Sequence, residues 1–218
     1  ELVAVVEETL AAWADADAWG GMVELLIRDF ASPSHDDELF PFLRNFSPYA
    51  GHSWAAGNPA FDIGNNQESS SEAVNAYAAI LQYGEYTGDE TLRDLGAYLL
   101  THETAAVDAY WYDVDDENHP DDWPYEYAAM VWGGGYKHDT WWTDDAEAIH
   151  GINVLPVGGH SLSLGRDAAA AETVYDELVA ENDGDDFDYW PDILWPYRTF
   201  SDPADAVRLF EENQEFYS

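Results

Sequence analysis

Residues 68–112 read ESSSEAVNAYAAILQYGEYTGDETLRDLGAYLLTHETAAVDAYWY. Apolar side chains recur through this stretch at helical spacing, which predicts one helix from about Glu68 to Tyr86 and a second from Glu90 through about Tyr112. Gly88 is placed to close the first, because glycine adopts the left-handed conformation that ends a helix without steric cost. Asp89 is placed to cap the second, its carboxylate accepting from the free N–H groups of the first turn. With so short a joint the two helices must run antiparallel.

Outward from this hairpin the same pattern continues. Leu2 to Ala14 and Met22 to Phe30 read as two helices broken by Gly20-Gly21, and Ala31 to Asn65 has Pro, Gly and many aromatics but no period, the mark of a long functional loop. Beyond the hairpin, Asp113 to Trp123 is an acidic loop. Tyr127 to Trp132 and Ile152 to Leu155 read as short strands around a Gly- and Trp-rich segment, Gly133 to Trp142. Helices return at Ala168 to Ala180, Pro191 to Phe200 and Pro203 to Asn213. Strands this few and short exclude a sandwich or a parallel α/β sheet. The fold class is all-α, and helices joined in pairs with aromatic loops between them fit an α/α toroid better than a four-helix bundle.

The chain has 218 residues, 46% of them hydrophobic, enough to bury a core. Its 45 Asp and Glu against 7 Lys and Arg give a formal net charge of −38. Such a charge repels itself until salt shortens the Debye length, to roughly 3 Å at about 1 M. The acids are spread along the chain and 15% of residues are aromatic, so this is no acidic disordered tail but the composition of a halophilic globular protein. The same charge argues against nucleic acid and anionic membranes as partners. No Cys is present, which removes disulfides and thiolate metal sites. No apolar run reaches the roughly 18 to 20 residues that span a bilayer. The chain starts at Glu1 without a signal peptide and stops in a helical stretch at Ser218, and both ends are expected to be cut from something longer.

Chemistry concentrates at Asn65-Asn66-Gln67-Glu68-Ser69-Ser70-Ser71-Glu72. On a helix, Glu68 and Glu72 would share one face with Cβ atoms about 5 to 6 Å apart. Two desolvated carboxylates that close drive one to hold its proton, which suits general acid or base work. Spacing alone fits a solvated acid pair better. The neutral amides and hydroxyls around the pair tip the balance, in a chain whose ordinary polar surface is Asp and Glu, because a sugar cleft meets hydroxyls with such groups. Just upstream stands Gly51-His52-Ser53-Trp54, with a ring to stack on a pyranose and an imidazole to donate to a hydroxyl.

The string Tyr49-Ala50-Gly51-His52-Ser53-Trp54-Ala55-Ala56-Gly57, a spacer, and Gly64 through Tyr77 together resemble the signature of the glycoside hydrolase family 81 endo-β-1,3-glucanases. The two strings and their spacing are highly specific. Weaker echoes cover most of the chain: Leu26 to Asp29, Phe40 to Phe46, Thr140-Trp141-Trp142, and Ile149 to Ile152 followed by Leu155-Pro156. The resemblance implies that residues 1–218 are part of an (α/α)6 barrel catalytic domain, without the family's β-sandwich and small accompanying domain. It implies inverting, cofactor-free, endo-acting hydrolysis of laminarin-type β-1,3-glucan outside the cell. By position Glu68 falls on the general base, with Glu72 as the motif's second essential carboxylate. His52, Trp54, Asn66, Gln67, Trp141 and His150 are the expected substrate-binding residues. The family's general acid, an Asp in a His-rich segment, would lie upstream of Leu2, so the isolated chain is expected to be impaired. Ser47 stands where the family commonly has Asp, which leaves any role at that position open.

The rival readings are a glucan-binding module without catalysis and an (α/α)6 enzyme acting on a uronate polymer. An Asp in a His-rich stretch upstream of Glu1 would decide against the first, and the scarcity of cations counts against the second. The seven His, at 35, 52, 102, 119, 138, 150 and 160, show no metal-ligand spacing, so no metal is expected from sequence. Asp113 to Glu117 lacks the pattern of a Ca²⁺ loop and reads as solvated surface. Gly133-Gly134-Gly135 is not a phosphate loop, since no Lys-Ser or Lys-Thr follows.

Overall fold

The computed structural model describes residues 9, 11–15, 17–55 and 61–214. Helices dominate, with a few strands of two or three residues between them. The expected helix from Leu2 to Ala14 lies mostly outside the described residues; 11–14 are helical. Helix α1, Gly20–Ala31, includes the two glycines instead of starting after them. The reason is a close approach, because a Cβ on Gly20 would sit 2.9 Å from the Ala14 carbonyl oxygen.

The central hairpin is α2, Ser70–Thr87, and α3, Glu90–Ala106. Gly88 closes α2 in the left-handed region at φ 74°, and Asp89 accepts from the N–H groups of Thr91 and Leu92, as the sequence predicts. Two other glycines set the spacing of the helices. A Cβ on Gly84 would lie 2.3 Å from the Arg93 nitrogen, and one on Gly96 2.3 Å from that of Leu81. Backbone therefore packs on backbone at both crossings. The expected second helix runs on through a wider π-type turn, Val107–Trp111.

The long aperiodic segment folds into a hairpin of β1, Phe46–Ser47, and β2, His52–Ser53. Strand β3, Asn66–Gln67, pairs antiparallel with β4, Met130–Trp132, which pairs with β5, Gly135–Lys137. The expected strand from Tyr127 is thus reduced to its last three residues, and Gly133-Gly134 turn the chain into β5. Ile152 to Leu155 form no strand. They are the turn after α4, Ala146–Gly151, and their polar groups bond to the start of α2 instead of to a sheet. The tail comprises α5, Ala168–Glu181, α6, Pro191–Tyr197, and α7, Pro203–Glu212, within a few residues of expectation.

Two apolar cores result. Ile27, Leu43, Phe46, Tyr77, Ile80 and Leu99 join α1 and the β1–β2 hairpin to α2 and α3. Trp111, Val131, Ile149, Leu178, Leu194 and Leu209 join the π turn and the small sheet to α4–α7. The Glu68 segment lies where the two meet. Among the described residues no helix is long and apolar enough to cross a membrane.

Candidate active site

Helix α2 starts at Ser70, so Glu68 is not on it. The expected helical face shared by Glu68 and Glu72 does not form, and the physical reason lies on either side of Glu68. Asn66 and Gln67 are held extended by pairing with Trp132 and Val131. After Glu68, the Ser69 and Ser71 hydroxyls both donate to the Ile152 carbonyl at 3.2 and 3.0 Å. The first N–H of α2, on Ser70, is capped by Asn153 Oδ1 at 2.8 Å, and Asn153 Nδ2 donates to the Ala129 carbonyl at 2.9 Å. A side chain 83 residues away thus caps the helix, and the motif's serines hold Glu68 in the bend between strand and helix.

From that bend Glu68 reaches an open groove of about 380 Å³, shared with Glu72, Trp54, Gln67, Ser69 and Asn45. The Glu68 carboxylate accepts the Trp141 N–H at 3.3 Å. Burial raises its pKa above the ordinary carboxylate value, against that hydrogen bond, and the charges of Glu72 and Asp139 raise it further. Glu72, on the first turn of α2, is exposed. Trp141 is 50% exposed beside Glu68, its ring against Phe61 and Trp132 at centroid distances of 5.2 and 5.5 Å.

The remaining expected contacts divide. Trp54 and Gln67 line the groove. His52 does not: it is 2% exposed, bonded through Nδ1 to the Ser53 carbonyl at 2.7 Å, with its ring 4.4 Å from that of Trp54. It supports the Trp54 ring from behind. Asn66 is buried in the small sheet and belongs to the scaffold of the groove. His150, 2% exposed, faces Tyr127 and Glu181 in the second core and is not among the residues that line the groove of Glu68.

One residue beneath the groove was not singled out from sequence. Glu103, on α3, is fully buried at 0% exposure. It accepts the Ser53 N–H at 2.7 Å and the Ser53 hydroxyl at 3.0 Å, and Gln67 Nε2 donates to that hydroxyl oxygen at 2.5 Å. Burial pushes its carboxyl up to about 8, in spite of the two bonds from Ser53. Among 45 acids nothing in sequence marks this one; its only local signal is a Glu inside the apolar-periodic part of a helix.

The arrangement offers a carboxylate of raised proton affinity facing an open groove, a second carboxylate lining the same groove, Trp54 in its lining and Trp141 against Glu68. The model of the glycosyl hydrolase family 81 C-terminal domain matches residues 2–218. The chain belongs to glycosyl hydrolase family 81. A glucan endo-1,3-beta-D-glucosidase of Acetivibrio thermocellus is 48% identical to this family 81 chain over 201 residues, covering 92% of the chain and 26% of that protein. One from Thermobifida fusca is 42% identical over 205 residues, covering 94% and 27%. A solved family 81 structure from Clostridium thermocellum superposes with a TM-score of 0.86 at 48% identity, covering 90% of this chain and 27% of that one. The chain therefore spans about a quarter of the relatives it matches.

Proposed function

We propose that this chain is the part of an endo-acting β-1,3-glucan hydrolase that carries the catalytic base, and that Glu68 is that base in an inverting single displacement. One observation carries the reading: a half-buried carboxylate of raised proton affinity, fixed by the Trp141 N–H, opens onto a groove lined by Trp54 and by neutral hydrogen-bonding groups. A raised pKa strengthens the carboxylate as an acceptor for the proton of an attacking water, while the Trp141 N–H aims it. That the relatives from Acetivibrio and Thermobifida are glucan endo-1,3-beta-D-glucosidases supports β-1,3-glucan as the substrate.

Inversion needs two carboxyl groups roughly 6.5 to 9.5 Å apart on opposite sides of the glycosidic bond. Glu68 and Glu72 line the same groove; Glu72 assists in holding the water or sugar, and the acid comes from another segment. The family resemblance points to an upstream Asp. Trp54 and Trp141 form sugar platforms.

The same proposal gives the chain its place in an incomplete (α/α)6 barrel. An apolar groove of about 800 Å³ runs along α1 and α2, lined by Val23, Leu26, Phe30, Ala79 and Tyr83. In a closed toroid the next helices cover such a face. Polymeric glucan places the enzyme outside the cell.

The test is Glu68→Gln in the complete enzyme. Laminarin hydrolysis is expected to fall by about 10²- to 10⁴-fold with glucan binding retained, and NMR of the wild-type products is expected to show inverted anomers. Full turnover by the variant would remove Glu68 from the role.

A further inference from the structure

The fold brings together three side chains that no sequence spacing connects: His138, one residue beyond β5, His150 on α4, and Glu181 at the end of α5. Their donor atoms all lie within 4.8 Å of one another. His138 Nε2 is 3.1 Å and His150 Nε2 3.4 Å from Glu181 Oε2.

The tautomer of His138 is set by its other nitrogen. Nδ1 sits 2.8 Å from the Tyr127 carbonyl, which only accepts, so Nδ1 carries the proton. In the neutral ring Nε2 then presents a lone pair to the Glu181 carboxylate, whose two oxygens are 3.2 and 3.1 Å away. Lone pair against carboxylate is repulsive unless a positive charge lies between them. Backbone fixation of Nδ1–H with Nε2 directed at a carboxylate is also how metal-binding histidines are oriented. Glu177, one turn earlier on α5, has a carboxylate oxygen, Oε2, that is buried without a hydrogen-bond partner. His150 Nδ1 is likewise buried without a partner.

We propose that His138, His150 and Glu181 form a binding site for one first-row divalent ion of the Zn²⁺ class, held by two imidazole nitrogens and a carboxylate oxygen. Tetrahedral zinc with bonds of about 2.0 to 2.1 Å separates its ligand atoms by about 3.3 to 3.4 Å, close to the 3.1 and 3.4 Å from Glu181 Oε2 to the two imidazole nitrogens, and all three atoms lie within 4.8 Å of one another. Two nitrogens and one oxygen select such an ion over Mg²⁺ and Ca²⁺, which take oxygen ligands. Tyr125 stacks on the His138 ring at 3.9 Å and Tyr127 on that of His150 at 5.1 Å, which holds both rings in place. Glu181 remains 29% exposed, so the ion has a way in.

Bound there, the ion ties the end of β5 to α4 and α5. The chain leaving His138 is Asp139-Thr140-Trp141, and Trp141 donates to Glu68. The site is therefore structural, a clamp on the loop that orients the proposed base.

The test uses the complete enzyme, stripped with EDTA and titrated with ZnCl₂, CoCl₂ and MgCl₂ at neutral pH. Expected are one tightly bound Zn²⁺, a rise in Tm of about 5 °C at saturation, and the visible Co²⁺ absorption that marks low-coordinate ligation. Mg²⁺ should reproduce none of this. Glu181→Gln and His150→Gln are expected to weaken Zn²⁺ binding by about 100-fold or more, and His35→Gln, far along the chain, to leave it unchanged. Because Glu181 is partly exposed, its variant should keep the wild-type far-UV circular dichroism, which makes loss of binding separable from unfolding. Zn²⁺ binding that survives in both variants would assign the ion to the acidic surface and overturn the proposal. So would no binding at one equivalent, which would leave a proton on His138 as the shared charge.

Discussion

Glu68 and Glu103 show how one residue type takes two different tasks through its surroundings. Glu68 is raised by burial but keeps an open side to the groove, and its charge is further opposed by Glu72 and Asp139. The proposed base works only when deprotonated, so in the complete enzyme its raised pKa is expected to move the acidic limb of kcat/KM upward in pH. Asp139→Asn in the complete enzyme removes one of the negative charges and is expected to shift that limb to lower pH, a change read from a pH–rate profile. Glu103 touches no groove and acts by holding Ser53, which in turn holds Gln67 next to the proposed base. Its folded pKa of about 8 lies above the ordinary 4.5, so the folded state binds the extra proton. Its favourable contribution is complete below about pH 4.5 and is lost as pH rises through about 8. Glu103→Gln keeps the shape and removes the ionisation. The slope of stability against pH between those limits, measured by denaturant melts, should flatten.

At the scale of elements, the hairpin and the cap decide where the site stands. Gly84 and Gly96 sit where backbone meets backbone, and a methyl group there must push the helices apart. Gly96→Ala is expected to cost about 2 to 3 kcal/mol or more, read as a lower midpoint in urea. A helix-propensity argument predicts the opposite sign, since alanine is the better helix former. Asn153→Ala removes the acceptor for the Ser70 N–H and the donor to the Ala129 carbonyl. Its expected cost is about 1 to 2 kcal/mol, together with a loss of activity in the complete enzyme, because Glu68 lies two residues before the capped nitrogen. Secondary structure was legible at this scale where a local cause fixed it, as at Gly88 and Asp89. The start of α2 was not, because it is set by pairing with β4 and by the Asn153 cap, both of which are distant in sequence.

Taken whole, the chain carries far more negative charge than its own cations can neutralise. All seven basic side chains already lie against carboxylates, from Arg28 with Asp37 to Arg208 with Asp205 and Glu212, and even Lys137 is 4.0 Å from Asp139. The surplus of −38 is left to the solvent. We therefore expect Tm to rise steadily between 0.1 and 2 M NaCl, followed by circular dichroism. A flat or falling profile would contradict adaptation to salt.

Composition and local pattern by themselves determined the helical class, the antiparallel hairpin, the acidic surface and the motif around Glu68, because each depends on residues near one another in the chain or on sums over it. Tertiary structure alone decided that Glu68 sits in a bend before its helix and that His52 and His150 are buried. It alone brought Glu103 beneath Ser53 and set His138, His150 and Glu181 around one point. Those outcomes depend on which distant carbonyl, carboxylate or ring completes each polar group, and burial makes such completion obligatory.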